Sequence, residues 1–250
     1  MINLRKITVF FLLAIFFSKN TQAQSPFRLR GELEFPVFIA SFSMMGGAYA
    51  FKKKHTFHTE GFIDSLNPKN INFLDRPVVK HYSSPARLTS DALLFSSFTM
   101  PLFLLIDKKT HKDFGKIALM DLEVILLNTM LTDLVKEAVH RPRPFVYNPK
   151  IPTYKKRGLD NFKSFFSGHT STMASQSYFF AFVYTSYNPK SKWLPLVWSV
   201  SAALPLTMAL LRVKGGKHFW TDVITGYLVG AAVGAGVPAL HRSELWRNVR

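Results

Sequence analysis

Apolar blocks alternate with polar, proline-containing stretches along the whole of this chain. The first block, Ile7–Phe17, is preceded by Arg5 and Lys6 and followed by a polar run that reaches a small residue at Ala23. A basic start, a brief apolar core and a small residue form the pattern of a secretory signal. Its apolar run is well short of the roughly twenty residues a helix needs to cross a bilayer. Residues 1–23 therefore read as a cleaved signal peptide, with an uncleaved amphipathic anchor as the alternative.

Six longer blocks follow: Phe35–Phe51, Ala92–Ile106, Ile117–Leu134, Thr170–Tyr187, Trp193–Leu211 and Val223–Leu240. Several approach membrane-crossing length, and the last three are nearly free of charge. The pattern predicts an all-α chain with six transmembrane helices. The third block carries Asp121, Glu123 and Asp133, which in a membrane must face the bundle interior or water. A soluble all-α domain with six buried helices is the bland alternative. Gly226, Gly230 and Gly234 recur every fourth residue in the last block, a spacing that lets helix backbones approach closely. Packing within one subunit is the preferred use of that stripe over dimerisation. Trp193 and Trp220 stand at block ends, where interfacial anchors belong.

Charge sharpens this picture. The 32 Lys and Arg residues against 15 acids give a formal net charge of +17. The basic residues bracket the apolar blocks instead of forming a stripe interleaved with aromatics, and no nucleic-acid fold motif is present, so nucleic acid is not the expected partner. Attraction to anionic lipid headgroups accounts for the excess. Lys155, Lys156, Arg157 and Lys163 form a basic hinge that either steers an anionic substrate or anchors the chain at an interface. The chain has no cysteine, so the redox compartment cannot be read from disulfides. His55 and His58 lack partners at metal-ligand spacing and read as loop residues.

Three segments carry candidate chemistry: Lys136 to Pro144, Ser167 to His169, and Arg212 to Asp222. Guanidinium forks and an ammonium are the groups that hold a phosphate, and Lys136, Arg143 and Arg212 supply them. Ser167 and Gly168 open a long uncharged stretch, which predicts a helix N-terminus with backbone amides facing an anion. His218 and Asp222 are four residues apart, on one helical face if a helix begins near Lys217. The carboxylate then orients one ring nitrogen and the other is free to attack phosphorus. His169 is left to protonate the leaving group. This scheme needs no metal. His140 and Arg141 fall between the fixed positions of the first segment and receive no catalytic role.

On these residues the chain resembles the type 2 phosphatidic acid phosphatase and vanadium haloperoxidase superfamily, in its membrane-bound bacterial lipid phosphatase branch. That family's pattern is Lys-x6-Arg-Pro, then Pro-Ser-Gly-His, then Ser-Arg-x5-His-x3-Asp. Lys136, Arg143 and Pro144 complete the first motif; Phe166 replaces the family Pro in the second, and Leu211 the family Ser in the third. The resemblance implies a six-helix transmembrane bundle and a single phosphatase domain over residues 24–250, with motifs at 136–144, 166–169 and 211–222. It implies phosphate binding by Lys136, Arg143, Ser167, Gly168 and Arg212, and catalysis by His169, a phosphohistidine at His218, and Asp222 in support. No cofactor or metal is expected. The implied substrate is a membrane lipid bearing a phosphate or pyrophosphate: phosphatidic acid, phosphatidylglycerol phosphate, a polyprenyl pyrophosphate or a phosphorylated lipid A. A soluble secreted acid phosphatase and a vanadate-dependent haloperoxidase are the alternatives within the superfamily.

Six spans would bring all three motifs to one membrane face, with residues 52–91 looping over the same side. Asp75, Arg76 and Arg87 in that loop read as ordinary solvated charges, with a lipid headgroup contact as the alternative. A cleaved signal and Lys52–Lys54 favour a cytoplasmic site by the positive-inside rule. The resemblance implies a periplasmic one, in an integral protein of a bacterial-type cell membrane. The sequence does not select among lipids or give an oligomeric state.

Overall fold

The computed structural model describes residues 25–53 and 59–243. The N-terminal 1–23 segment and His55 and His58 lie outside the described residues. Six long helices organise the fold: α1 Gly31–Lys52, α2 Ser84–Ser97, α3 Phe114–Val139, α4 Gly168–Tyr187, α5 Leu194–Lys214 and α6 Trp220–Leu240. Short helical turns link them, and the described residues contain no β-structure beyond one isolated bridge, Phe27 with Arg242.

Local sequence sets the helix ends. The Ser83 hydroxyl accepts from the Ala86 amide at the start of α2, which has Pro85 in its first turn, a position where proline's missing donor is not needed. α3 stops at His140, which takes the left-handed conformation (φ 48°) as C-cap. Pro142 and Pro144 then bar a further helical turn. α5 runs out at Gly215 and Gly216. Gly216 has φ +69°, and a Cβ there would stand 2.1 Å from the His81 carbonyl oxygen, so only glycine fits this turn.

α4 is the central helix, packed against α2, α3, α5 and α6. Its tightest neighbour is α6. A Cβ on Gly226, Gly230 or Gly234 would stand 2.6, 2.1 and 2.1 Å from the carbonyl oxygens of Ser167, Ser171 and Ser175, respectively. The glycine stripe is thus a backbone-to-backbone seam inside one subunit, as the preferred reading had it. Gly230→Ala forces the helices apart and is expected to cost about 1–3 kcal/mol. Thermal melting in detergent checks this; an unchanged Tm would contradict the seam.

The span count divides. α5 and α6 are each long and apolar enough to cross a membrane, and α2 with the following turn Met100–Ile106, bent by 41°, makes a third candidate. α1, α3 and α4 do not meet that standard. α4 is rich in Ser and Thr and buries most of its length, so its sides meet protein and need not be apolar. On α3, Glu123 turns fully inward against His241 (2.8 Å) and Asp121 toward Gln176 (3.1 Å), while Asp133 is exposed.

The exterior is what a lipid-facing protein presents. Phe35, Ile39 and Phe42 on α1, Leu88 and Phe95 on α2, Leu206 and Leu210 on α5, and Ile224 and Leu228 on α6 are all largely exposed. Soluble monomers rarely expose contiguous apolar surface on this scale. The chain is an integral membrane protein, and this surface weighs against the soluble alternative.

The connections on the motif side have a core of their own. Ile63, Phe145, Val146 and Phe162 pack together beside a second cluster of Ile71, Val78, Val79, Val213 and Phe219. Ile63, Ile71, Val78 and Val79, from the described part of the connection between α1 and α2, thus pack against the motif segments. Its direct ties include a Thr221 amide donating to Asp75 (3.0 Å) and His81 Nδ1 at 3.3 Å from the Val213 carbonyl.

Candidate active site

All three motifs converge at helix ends on one side of the bundle. Lys136 comes from the last turn of α3, Arg143 from the extended segment after it, Ser167 to His169 from the start of α4, Arg212 from the last turn of α5, and His218 and Asp222 from the turn into α6. The α4–α6 seam sets their spacing: its first contact carries the hydrogen bond from the Ser167 amide to the Asp222 carbonyl, 3.0 Å. Ser167 is the N-cap of α4, and its hydroxyl accepts from the Thr170 amide. Gly168 makes room for the lysine, since a Cβ there would sit 3.1 Å from Lys136 Nζ.

His218 is buried and its tautomer is determined. Nδ1 lies 2.7 Å from the Ser164 carbonyl oxygen; a carbonyl only accepts, so Nδ1 carries the proton and Nε2 keeps its lone pair. Arg143 Nη1 faces that Nε2 at 3.4 Å. Burial, then the positive charges of Arg143, Arg212 and Lys136, hold the imidazole well below the ordinary histidine range. It is a neutral nitrogen among cations, the form a nucleophile toward phosphorus needs.

Asp222 reaches the histidine through an intermediary. Its Oδ2 is 3.7 Å from His218 Nδ1, beyond hydrogen-bond distance. That oxygen accepts instead from the Ser164 hydroxyl (2.5 Å) and the Phe219 amide (2.8 Å). The carboxylate thus fixes both the residue whose carbonyl holds the imidazole and the chain immediately after it. The i, i+4 pair thus comes within ion-pair distance without a direct hydrogen bond, because His218 precedes the helix, with Phe219 as N-cap.

Two of the cations expected to bind phosphate are held by acids that spacing did not reveal. Arg143 donates through Nη2 to Asp160 Oδ2 (2.9 Å) and through Nε to the Asp160 carbonyl (2.8 Å). Arg212 donates through Nη1 to the Ser90 hydroxyl (2.9 Å) and to Asp91 Oδ1 (3.1 Å), while its buried Nε has no partner among the described residues. The same Asp91 oxygen takes a hydrogen bond from His169 Nε2 at 2.8 Å. The Asp91 carboxylate only accepts, so this contact places the Nε2 proton and orients the ring of the histidine expected to act as acid.

Arg141, given no role from the sequence, lies in the most tightly bonded part of the site. Its Nη1 donates to Asp222 Oδ1 (2.5 Å) and to the Thr221 hydroxyl (2.8 Å), and its Nη2 to Asp75 Oδ2 (2.8 Å). The guanidinium also lies over the Phe219 ring at 4.2 Å. Asp75, read as a solvated charge, is fully buried. Burial opposes its ionisation, yet hydrogen bonds from Thr221, Arg141 and Asn72 hold its carboxyl below the usual range. Within the basic hinge, Arg157 pairs with Glu60 and Lys163 with Glu137, so these two positions serve as internal ties.

Three of the missed residues left faint marks. Ser90 and Asp91 put a polar pair at the mouth of an apolar block, which inside a membrane signals function, and Ser164 lies just ahead of the second motif. The two residues that replace the family Pro and Ser have no polar role in the site: Phe166 is buried with its ring edge-on to Phe165, and the Leu211 carbonyl caps the end of α5.

Known proteins resemble this chain in sequence or in fold. Rat (Rattus norvegicus) phospholipid phosphatase 1 is 29% identical over a 125-residue alignment that takes in 41% of this chain and 44% of the relative. The chain thus covers less than half of that relative's length. A crystal structure of a transmembrane PAP2-type phosphatidylglycerolphosphate phosphatase from Bacillus subtilis superposes with a TM-score of 0.51 over 87% of this chain and 99% of that one. At 19% identity this likeness concerns the fold. The family model of the PAP2 superfamily matches residues 118–246. Since that match spans more than half of the chain and takes in all three convergent motifs, the chain belongs to the PAP2 superfamily.

Proposed function

We propose that this protein is a membrane phosphatase that hydrolyses a lipid phosphate monoester or pyrophosphate through a phosphohistidine at His218. The observation that carries the reading is the state of that residue: Nδ1 is tied to the Ser164 carbonyl and Nε2 is left with its lone pair beside Arg143. The names of both relatives, a phospholipid phosphatase and a phosphatidylglycerolphosphate phosphatase, support a phosphorylated lipid as substrate.

In this mechanism Lys136, Arg143, Arg212 and the first amides of α4 hold the phosphoryl oxygens. Developing charge is stabilised by groups already in place, which is the main source of such rate enhancement. His218 Nε2 bonds to phosphorus as the bond to the lipid oxygen breaks, and His169 gives that oxygen its proton. Water then attacks the phosphohistidine, His169 takes a proton from the water, and inorganic phosphate leaves. Acyl chains remain between the helices, while the headgroup reaches the membrane surface. The reading includes metal-independent turnover and a site on the periplasmic face.

The test is phosphate release by the detergent-purified protein, with and without chelator, from phosphatidic acid, phosphatidylglycerol phosphate, undecaprenyl pyrophosphate, lipid A and a soluble aryl phosphate. Turnover of a lipid that survives chelation is expected. Activity on the soluble ester alone would favour a non-specific acid phosphatase, and loss on chelation would remove the metal-free scheme.

A further inference from the structure

Two cations at this site are left over once a single phosphate has been provided for. Arg87 projects from α2 one turn before Ser90 and Asp91, the pair that holds Arg212 and His169. Its Nε donates to the Gly215 carbonyl at 2.8 Å, and the guanidinium lies over the Tyr82 ring (3.8 Å) and near the Phe145 ring (5.2 Å). Its Nη2 is buried and has no hydrogen-bond partner among the described residues. Lys217, next to His218, places its ammonium over the same Phe145 ring at 5.3 Å.

No carboxylate forms a salt bridge with either group among the described residues, whereas Arg143 has Asp160 and Arg212 has Asp91. Burial, followed by the charges of Arg143, Arg87 and Arg212, pushes the Lys217 ammonium down to about 8. A buried donor without an acceptor and a cation among cations both cost free energy that a bound anion would recover. These groups are held in place by a backbone carbonyl and aromatic faces, which leaves their remaining donors for a ligand.

Building on the phosphatase reading, we propose that Arg87 and Lys217 form a second anion subsite beside the catalytic cradle, and that the substrate carries a second phosphate next to the one removed. For a lipid pyrophosphate the bond from Nε2 to the terminal phosphorus forms as the bridging P–O bond breaks. The electron pair then ends on the departing phosphate, whose charge the two cations hold. A lipid with a phosphodiester beside a terminal monoester offers the same chemistry from a different source.

Calorimetry on the wild-type protein with methylenediphosphonate and methylphosphonate, neither of which can be hydrolysed at phosphorus, tests the subsite without turnover. The diphosphonate should bind more tightly, and that preference should fall on the order of 10-fold in Arg87→Gln and again in Lys217→Gln. Lys217→Gln keeps the test open if loss of the Arg87 stack unfolds the protein. A preference ratio unchanged in the variants would overturn the inference. The lipid panel separates the sources: the variants should lower kcat/KM relative to phosphatidic acid for undecaprenyl pyrophosphate alone, or for phosphatidylglycerol phosphate as well. A uniform decrease on all three would mean that the two cations serve the cradle itself, and would sink the subsite. No release from any lipid, with the diphosphonate preference intact, would refute the phosphatase reading and leave the subsite standing.

Discussion

His218→Ala is expected to remove turnover, by at least about four orders of magnitude in kcat, because in the proposed mechanism it deletes the atom that bonds to phosphorus. Binding should survive. In the proposed mechanism Lys136, Arg143 and Arg212 hold the phosphate independently of the imidazole, and Arg143 and Arg212 are braced by Asp160 and Asp91. The deletion leaves a cavity, but the Ser164 carbonyl loses only a donor that water can replace. The expected result is therefore a collapse of kcat with ground-state affinity nearly intact, read by single-turnover kinetics and by equilibrium binding of inorganic phosphate. Equal losses in rate and in phosphate affinity would mean that the histidine serves chiefly to bind.

Arg141→Leu has the second largest expected effect, and it falls on stability as well as rate. The guanidinium bridges Asp75 and Asp222, two carboxylates without solvent exposure. Removing one partner of a buried pair strands the other charge, at about 3–5 kcal/mol. In a domain of this size that lowers Tm by roughly 2–4 °C per kcal/mol. Asp222 also fixes Ser164 and the start of α6, so turnover should fall with it. A double variant with Asp75→Asn relieves one of the stranded charges and should recover part of the lost stability, measured as a coupling by the double-mutant cycle. Additive losses would show that Arg141 and Asp75 do not act as a unit.

The three motifs were legible because each is short and bound to a helix end, where spacing along the chain becomes position in space. Lys136, His169 and Arg212 each occupy the first or last turn of a long helix, so apolar blocks and motif spacing together place them. The glycine stripe on α6 was legible for the same reason: period four is a helical face, and the face found its partner on α4.

What remained hidden was mostly the residues that hold those positions. Arg141 meets Asp75 across 66 residues of chain, and His169 meets Asp91 across 78. No local periodicity encodes such pairs. The i, i+4 relation of His218 and Asp222 misled because it presumes a helix already begun at His218. The span prediction was only partly met: α5 and α6, with the bent α2 pair, are long and apolar enough to cross a membrane, while α4, predicted as a span, is rich in Ser and Thr and covered by neighbouring helices.

The most direct test of the account is to trap the covalent intermediate. Detergent-purified protein would be mixed with a lipid labelled in its terminal phosphate, quenched in denaturant at alkaline pH within one turnover, and digested for peptide mapping. The account predicts an acid-labile, base-stable phosphoryl group on the peptide containing His218, formed and lost at rates that match turnover and missing from His218→Ala. Turnover without that adduct, or label on a different residue, would contradict it.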